Sequence, residues 1–447
     1  MTNYILVMGL GLNQGGVGAA KYFAKKRENV LVTDLKKRKD LLPSIKELKK
    51  FPNIKFILGR HRKKDFAEAK MVIASPAVPP NNEFIKLAEK NKVPIFCPES
   101  YFLTKKKGLC IGITGTRGKS TTTNLIYQIL KKTKRKVFLG GNIGRSVLDF
   151  LDKTDKNTIS VLEISNFMLE WMEKTKTSPE LAVITNVMKD HLNRHKTMKE
   201  YIRVKKIIFK FQKKNGIVVL NPRDRIVKNF AKESAGKVIF AKIPKINLSF
   251  FKKDFFHPLG GKHNQNNIAL AFAVTRCLTI DKKTIVNAIK NYRGLYGRLM
   301  YLGNFKGVDI VNDTCATVPE AVIAAIEKFK RRKMVILTGG TDKNLDFKTL
   351  AKTFAKIGPK AVIVLKGGAS EKLKTAWQKF GKNSIPFYWN FDKLSSALTK
   401  AASLVEKGEI LLFSPGAASF EMFINEFDRG KKFDELIRQK YSSQKNK

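Results

Sequence analysis

Short apolar runs alternate along this chain with longer segments whose apolar residues recur every three or four positions. In the first hundred residues the runs at 4–8, 30–33, 71–74 and 93–96 read as strands, and Ala20, Phe23 and Ala24 give the segment after Gly18 a helical spacing. Gly9-Leu10-Gly11 ends the first run and Asp34 closes the second. Alternating β and α segments predict a parallel sheet of Rossmann type, with ligands at the carboxyl ends of its strands. After a lysine-rich turn at 105–107, a second block carries strand-like runs at 110–114, 137–139, 159–163, 182–185 and 217–220. Within it, Met198, Tyr201, Val204, Ile208 and Phe211 mark one face of a helix over 198–211, and a further helix is predicted over 263–278. A third block opens near Gly297 or Arg298, with runs at 308–311, 334–337, 361–365 and 410–413. No short-period repeat is visible. The pattern predicts three α/β domains, 1–107, 108–296 and 297–447.

Composition changes this picture little, except for charge. Of 447 residues, 43% are hydrophobic and 10% aromatic, enough for packed interiors. No stretch has the length of a membrane span, and the chain starts straight into an apolar run with no leader or cleavage site, so a cytoplasmic protein is expected. Four scattered cysteines lack metal spacing; Cys110, Cys277 and Cys315 read as small core hydrophobes. The 87 basic and 37 acidic residues give a formal charge of +50, which keeps nucleic acid in view as a partner. The lysines are spread through nearly every polar stretch and no nucleic-acid-binding motif accompanies them, so no specific nucleic-acid partner is expected.

The sharpest chemical signal is Gly115-Thr116-Arg117-Gly118-Lys119-Ser120, between a strand-like run and the helix-capable TTTNLIYQIL. Such a turn points backbone N–H groups at phosphate oxygens, and the following helix N-terminus adds a favourable field. Lys119 would neutralise phosphates and Ser120 ligate magnesium. The later turn GGNIGRS offers Asn142 to a substrate amide or phosphate, or merely reverses the chain. GLGLNQGGVG has the glycine content but not the spacing of a dinucleotide fingerprint; a nucleotide-sugar diphosphate would use the same donors. Asp34 then faces a ribose or uracil, or caps a helix.

Glu163, inside an apolar run placed at the sheet centre, needs a cation or hydrogen bonds. Magnesium between Ser120, Glu163 and nucleotide phosphates would satisfy it. TNVMKDHLNRH gathers Asp190, His191, Asn193 and His195 just beyond a strand end; His191 reads as a second metal ligand or as an ordinary loop histidine. Lys205 shares an apolar helical side with Tyr201, so it must snorkel, pair, or lose its charge; carbamylation would turn it into an anionic ligand. Arg298 and Asp313 are nucleotide candidates, with helix capping the alternative for Asp313. Lys343, in a glycine turn after a strand, is a phosphate or carboxylate candidate. Ser414 and Ser419 lack a His/Asp partner pattern, so neither is assigned as a nucleophile.

The ordered series GITGTRGKST, GGNIG, VLEISNFMLE, NVMKDHLNRH, EYIRVK, GGKHNQNN, YGRL, NDTCAT, GGTDKNLDF and SPGAASFEMFINEFDRG resembles the Mur ligase family across nearly the whole chain. The resemblance implies a Rossmann-like UDP-substrate domain, a central P-loop ATPase domain and a C-terminal Rossmann-like domain that binds the amino acid. It implies ATP and two magnesium ions as cofactors, with catalytic Lys119, Glu163, His191 and Lys205, the lysine carbamylated as a metal ligand. Gly115, Thr116, Arg117, Gly118, Lys119, Ser120, Thr121, Asn264, Asn267, Arg298 and Asp313 would serve ATP. Leu12, Asn13, Asp34, Asn142 and Ser165 would serve the UDP substrate, and Thr317, Lys343 and Ser419 the amino acid. The implied reaction joins glutamate, preferably the D form, to UDP-N-acetylmuramoyl-L-alanine through an acyl phosphate, in a monomer. Neighbouring ligase specificities, an ATP-regulated nucleic-acid-binding module and a noncatalytic wall-assembly scaffold are the alternatives. The sequence departs from the family pattern at Arg117 (usually asparagine), Asn166, Met168, Gly297, Met300, Cys315 (usually lysine), Glu426 and the PES turn at 98–100. These changes bear on amino-acid choice more than on ATP use.

Overall fold

The computed structural model describes residues 3–11, 14–190, 192–244, 255–260, 264–381 and 385–442. The chain forms two compact units, Met1–Asn247 with Lys262–Asn291, and Leu248–Gly261 with Tyr292–Lys447.

The first unit contains two parallel sheets. Strands β1 (Ile5–Met8), β2 (Val30–Asp34), β3 (Ile54–Leu58), β4 (Met71–Ala74) and β5 (Ile95–Phe96) lie in the order β3-β2-β1-β4-β5. Strands β6 (Leu109–Thr114), β7 (Val137–Gly141), β8 (Ile159–Glu163), β9 (Leu181–Ile184), β10 (Ile217–Leu220) and β11 (Lys237–Phe240) lie in the order β11-β10-β9-β6-β8-β7. The chain therefore crosses over β6 between β8 and β9. Such a reversal of strand order opens a crevice beyond the carboxyl ends of the flanking strands. Here it gathers the loops that follow β6, β8 and β9.

The two sheets share interior contacts. Val17, Phe102, Val147 and Phe150 belong to one apolar cluster, and Phe102 meets Phe150 edge-on with ring centres 5.3 Å apart. Trp171, on the helix Asn166–Lys174, donates its indole N–H to the Val78 carbonyl at 3.1 Å, and Lys174 reaches the Pro80 carbonyl at 3.2 Å. The loop after β4 is thereby tied to the second sheet's helix layer.

The second unit is built on β12 (Met300–Phe305), β13 (Val308–Asn312), β14 (Met334–Gly339), β15 (Ala361–Leu365), β16 (Phe387–Phe391) and β17 (Ile410–Phe413), in the order β12-β13-β17-β14-β15-β16. Only the β12–β13 pair is antiparallel among these.

Four strands escape the hydrophobic pattern: β3, β11, β12 and β16. All four are edge strands, and none is buried throughout. A strand with one neighbour keeps a wet flank and loses the continuous apolar run that marks a central parallel strand. Two further readings need correction. Glu163 ends β8, which lies one strand from the edge rather than at the sheet centre. Cys97 and Cys110 are buried, whereas Cys277 and Cys315 are only partly so. Among the described residues no helix is long and apolar enough to cross a membrane.

Candidate active site

The loop after β6 is shaped by its neighbour β9. Thr116 donates its N–H to the Asn186 carbonyl at 2.9 Å, and Arg117 donates its own to Asn186 Oδ1 at 2.8 Å. The Arg117 carbonyl accepts from Thr185 Oγ1 at 2.7 Å and from Asn186 Nδ2 at 2.9 Å. Thr116 Oγ1 accepts the Met188 N–H at 2.9 Å and lies 3.1 Å from the Tyr201 hydroxyl. These clamps hold a turn that needs glycine at two points. Gly115 (φ +146°) approaches Thr185 so closely that a Cβ would sit 1.9 Å from its Oγ1, and at Gly118 (φ +81°) a Cβ would sit 2.3 Å from Asn267 Oδ1. The helix Lys119–Lys131 starts directly behind.

Asn267 connects this turn to the helix Asn264–Cys277. Its Oδ1 accepts from Thr122 Oγ1 at 3.2 Å, and its Nδ2 donates to Asn264 Oδ1 at 2.9 Å. The two asparagines expected beside a nucleotide are therefore brought to the loop, both buried.

The charges around the loop are closely grouped. Lys119 Nζ donates to the Thr116 carbonyl at 3.0 Å. Lys205, 1% exposed on the helix Met198–Lys210, donates to the Gly115 carbonyl at 3.2 Å and to Thr114 Oγ1 at 3.3 Å, with its ammonium 5.0 Å from the Tyr201 ring centre. Burial, reinforced by the charge of Lys119, pulls the Lys205 ammonium well below the ordinary lysine range, against the opposing pull of Asp190 and Glu163. Glu163 is 1% exposed. Its Oε1 accepts from Asn142 Nδ2 at 2.8 Å, while its Oε2 has no hydrogen-bond partner among the described residues. A buried carboxylate oxygen left in that state is costly unless a cation completes it. The donor type and position fit magnesium. Among the described residues no three His, Cys, Asp or Glu side chains form a metal-holding group by themselves.

Other expected contacts have protein partners here. Asp34 Oδ2 accepts the N–H groups of Leu10 and Gly11 at 2.8 and 3.1 Å, and Oδ1 accepts that of Lys36 at 2.9 Å. It closes the first glycine loop rather than capping a helix. Ser165 caps the helix Asn166–Lys174 by accepting the Met168 N–H at 3.3 Å. Leu12, Asn13, His191 and His263 lie outside the described residues.

In the second unit, Asp313 ends the run through β13. It accepts from the Leu299 N–H at 3.0 Å and from Ser414 Oγ at 2.8 Å, and burial pushes its carboxyl up to about 7. Cys315 lies alongside, its thiol pushed up to about 11 by burial. Arg429, fully buried, crosslinks two loops. It donates to Thr314 O at 2.7 Å, Thr314 Oγ1 at 3.2 Å, Ala417 O at 3.1 Å and Ala418 O at 3.2 Å. Burial lowers its guanidinium to about 10. It lines a small cleft with Gly340, Thr341 and Ser419, whose buried Oγ has no hydrogen-bond partner among the described residues. Lys343 is exposed near this turn, 5.9 Å from the Phe420 ring centre. Thr317 is half-buried on the loop after β13 and does not line that cleft.

Asn186 and Arg429 are the working residues that motif spacing missed. Asn186 sits in the quoted NVMKDHLNRH, and Arg429 in the DRG that ends the last motif; neither position says by itself what the side chain clamps.

Three family models match the chain in order: Mur ligase MurD-like, N-terminal domain, at residues 3–97; Mur ligase middle domain at 113–275; and Mur ligase, glutamate ligase domain, at 297–416. The chain is 38% identical to the UDP-N-acetylmuramoylalanine–D-glutamate ligase of Borreliella afzelii, over 97% of each chain, and 35% identical to that of Borreliella burgdorferi over the same share. Among solved structures, the UDP-N-acetylmuramate-alanine ligase MurC of Thermotoga maritima aligns with a TM-score of 0.62 at 19% identity, covering 98% of this chain and 99% of that one. That likeness is one of fold.

Proposed function

The chain belongs to the Mur ligase family, and from that premise we propose a reaction and a role for each part of the site. The protein joins D-glutamate to UDP-N-acetylmuramoyl-L-alanine at the expense of ATP, a step in making peptidoglycan precursor. The observation that carries the site assignment is the buried, half-satisfied Glu163 beside a glycine turn that also holds Lys119 and Lys205.

In this reading residues 108–296 are the P-loop ATPase domain, with 1–107 taking the UDP substrate and 297–447 the amino acid. Gly115–Ser120 and Thr121 receive the phosphates, Asn264 and Asn267 brace the nucleotide from the central domain, and Arg298 and Asp313 serve it from the C-terminal domain. The muramoyl-alanine carboxylate attacks the γ-phosphorus, the bond to the β-phosphate oxygen breaks, and ADP leaves. Lys119 offsets charge on the transferring group. The glutamate amine then attacks the acyl phosphate carbonyl, losing a proton as inorganic phosphate departs and the amide forms. Ser120, Glu163 and His191 would hold magnesium, which when bound neutralises phosphate charge. Lys205, whose ammonium burial pulls well below the ordinary lysine range, is an amine able to take up carbon dioxide with loss of a proton; its carbamate would complete the metal set. Thr317, Lys343 and Ser419 take the glutamate carboxylates, and Leu12, Asn13, Asp34, Asn142 and Ser165 the UDP substrate.

The direct test supplies ATP, magnesium and UDP-N-acetylmuramoyl-L-alanine with D- or L-glutamate, and measures ADP and amide. Equal amounts of ADP and amide with the D isomer are expected. ADP released without amide, or preferred use of another amino acid, would defeat the reading. Mass analysis of Lys205 at high bicarbonate tests the carbamate.

A further inference from the structure

The phosphate loop carries a side chain whose task the reaction above leaves open. Arg117 stands between Thr116 and Gly118, and its backbone is the most firmly fixed part of the turn: its N–H and its carbonyl are both taken up by Thr185 and Asn186. Its guanidinium is 55% exposed and bonds Asp190 Oδ2 at 3.1 Å. A pair as solvated as this is held weakly and exchanges readily for a better anion. Both partners act electrostatically on the Tyr201 hydroxyl, which itself touches Thr116, so the pair stands at the loop and not on a remote surface.

A fixed backbone under a long, loosely held cation is the arrangement needed to follow charge as it develops. Lys119 extends back over its own turn to the Thr116 carbonyl, and Lys205 lies buried beneath the loop against the Gly115 carbonyl. Arg117 is the cation of the loop with solvent-side freedom. A guanidinium forms two parallel hydrogen bonds to a phosphoryl group, which an ammonium cannot match.

Resting on the ligase reading, we propose that Arg117 leaves Asp190 when ATP binds and grips the γ-phosphoryl group, acting beside Lys119 as a second cation during phosphoryl transfer. It is a catalytic residue contributed by the loop itself. No bond is made to it, and no proton moves. The β-phosphate, held by the turn, does not depend on it.

The test compares Arg117→Ala, Arg117→Asn and Arg117→Lys with the unaltered protein, using calorimetric titration with ADP and with AMP-PNP in magnesium alongside turnover of the complete reaction. The two neutral variants should bind ADP within threefold of the parent while AMP-PNP affinity falls about tenfold, the loss of one charge-assisted contact. Their kcat should fall on the order of 100-fold or more, with Arg117→Lys recovering part of it. An unchanged preference for AMP-PNP over ADP, or a kcat within threefold of the parent, overturns the proposal. If the unaltered protein binds nucleotides but makes no amide, the ligase reading fails, and the affinity comparison still decides whether Arg117 meets the γ-phosphate.

Discussion

Two glycine loops of the first unit follow the opening strands of neighbouring parallel sheets, and they differ in the sign of what surrounds them. After β1, Leu10 and Gly11 give their N–H groups to Asp34 at the end of β2. After β6, Thr116 and Arg117 give theirs to the neutral Asn186, and Arg117, Lys119 and Lys205 gather around the turn. The first loop is closed by an anion from the chain, the second by an uncharged clamp within a cluster of cations. Glycine content alone does not make a phosphate cradle; a built-in carboxylate opposes a polyphosphate where an amide and the side chains of Arg117 and Lys119 attract it.

Removing the second loop's leading cation should have the largest effect. Lys119→Ala is expected to lower kcat by about 10³-fold or more while leaving the melting temperature unchanged, because Lys119 serves a ligand rather than the fold. A variant that unfolds would place the lysine in the same structural category as Asp34 and end the contrast. Lys343→Ala, in the second unit's glycine turn, is expected to raise the KM for glutamate roughly 10- to 100-fold, as loss of a charged carboxylate contact should, with little change in kcat. An unaltered glutamate titration removes Lys343 from the amino-acid site.

The first loop should answer differently. Asp34→Ala strands three N–H groups, so denaturant unfolding should register a loss of about 1–3 kcal/mol. The KM for ATP should stay as it was and that for the UDP substrate should rise. A drop in kcat without loss of stability would mean that the two loops play the same kind of part.

The last contrast concerns a buried carboxyl with a different solution. Asp313 holds its proton up to about pH 7 in the folded chain, against an ordinary value of 3.8. Between those values the folded form keeps a proton that the unfolded chain releases, so its contribution to stability falls as pH rises from 4 to 7 and is level above that. Asp313→Asn should therefore match the parent at low pH and melt higher at pH 8, by roughly 2–4 °C for each kcal/mol regained. Equal melting temperatures at both pH values would show that burial does not shift this carboxyl.

The sequence by itself determined the elements with strong local signatures. Continuous apolar runs located β14, β15 and β17, since strands buried on both faces tolerate little else. Gly115 and Gly118 were legible because the turn's geometry excludes a Cβ. Tertiary structure decided the rest. It made β3, β11, β12 and β16 strands by giving each one neighbour, a partner no local pattern announces. It set Asp34 to close its own loop and Asn186 to clamp another, and it left one oxygen of Glu163 without a partner among the described residues. The physical reason is that a residue's identity fixes which bonds it can form, while the crossover between β8 and β9 fixes which groups lie within about 3 Å to form them.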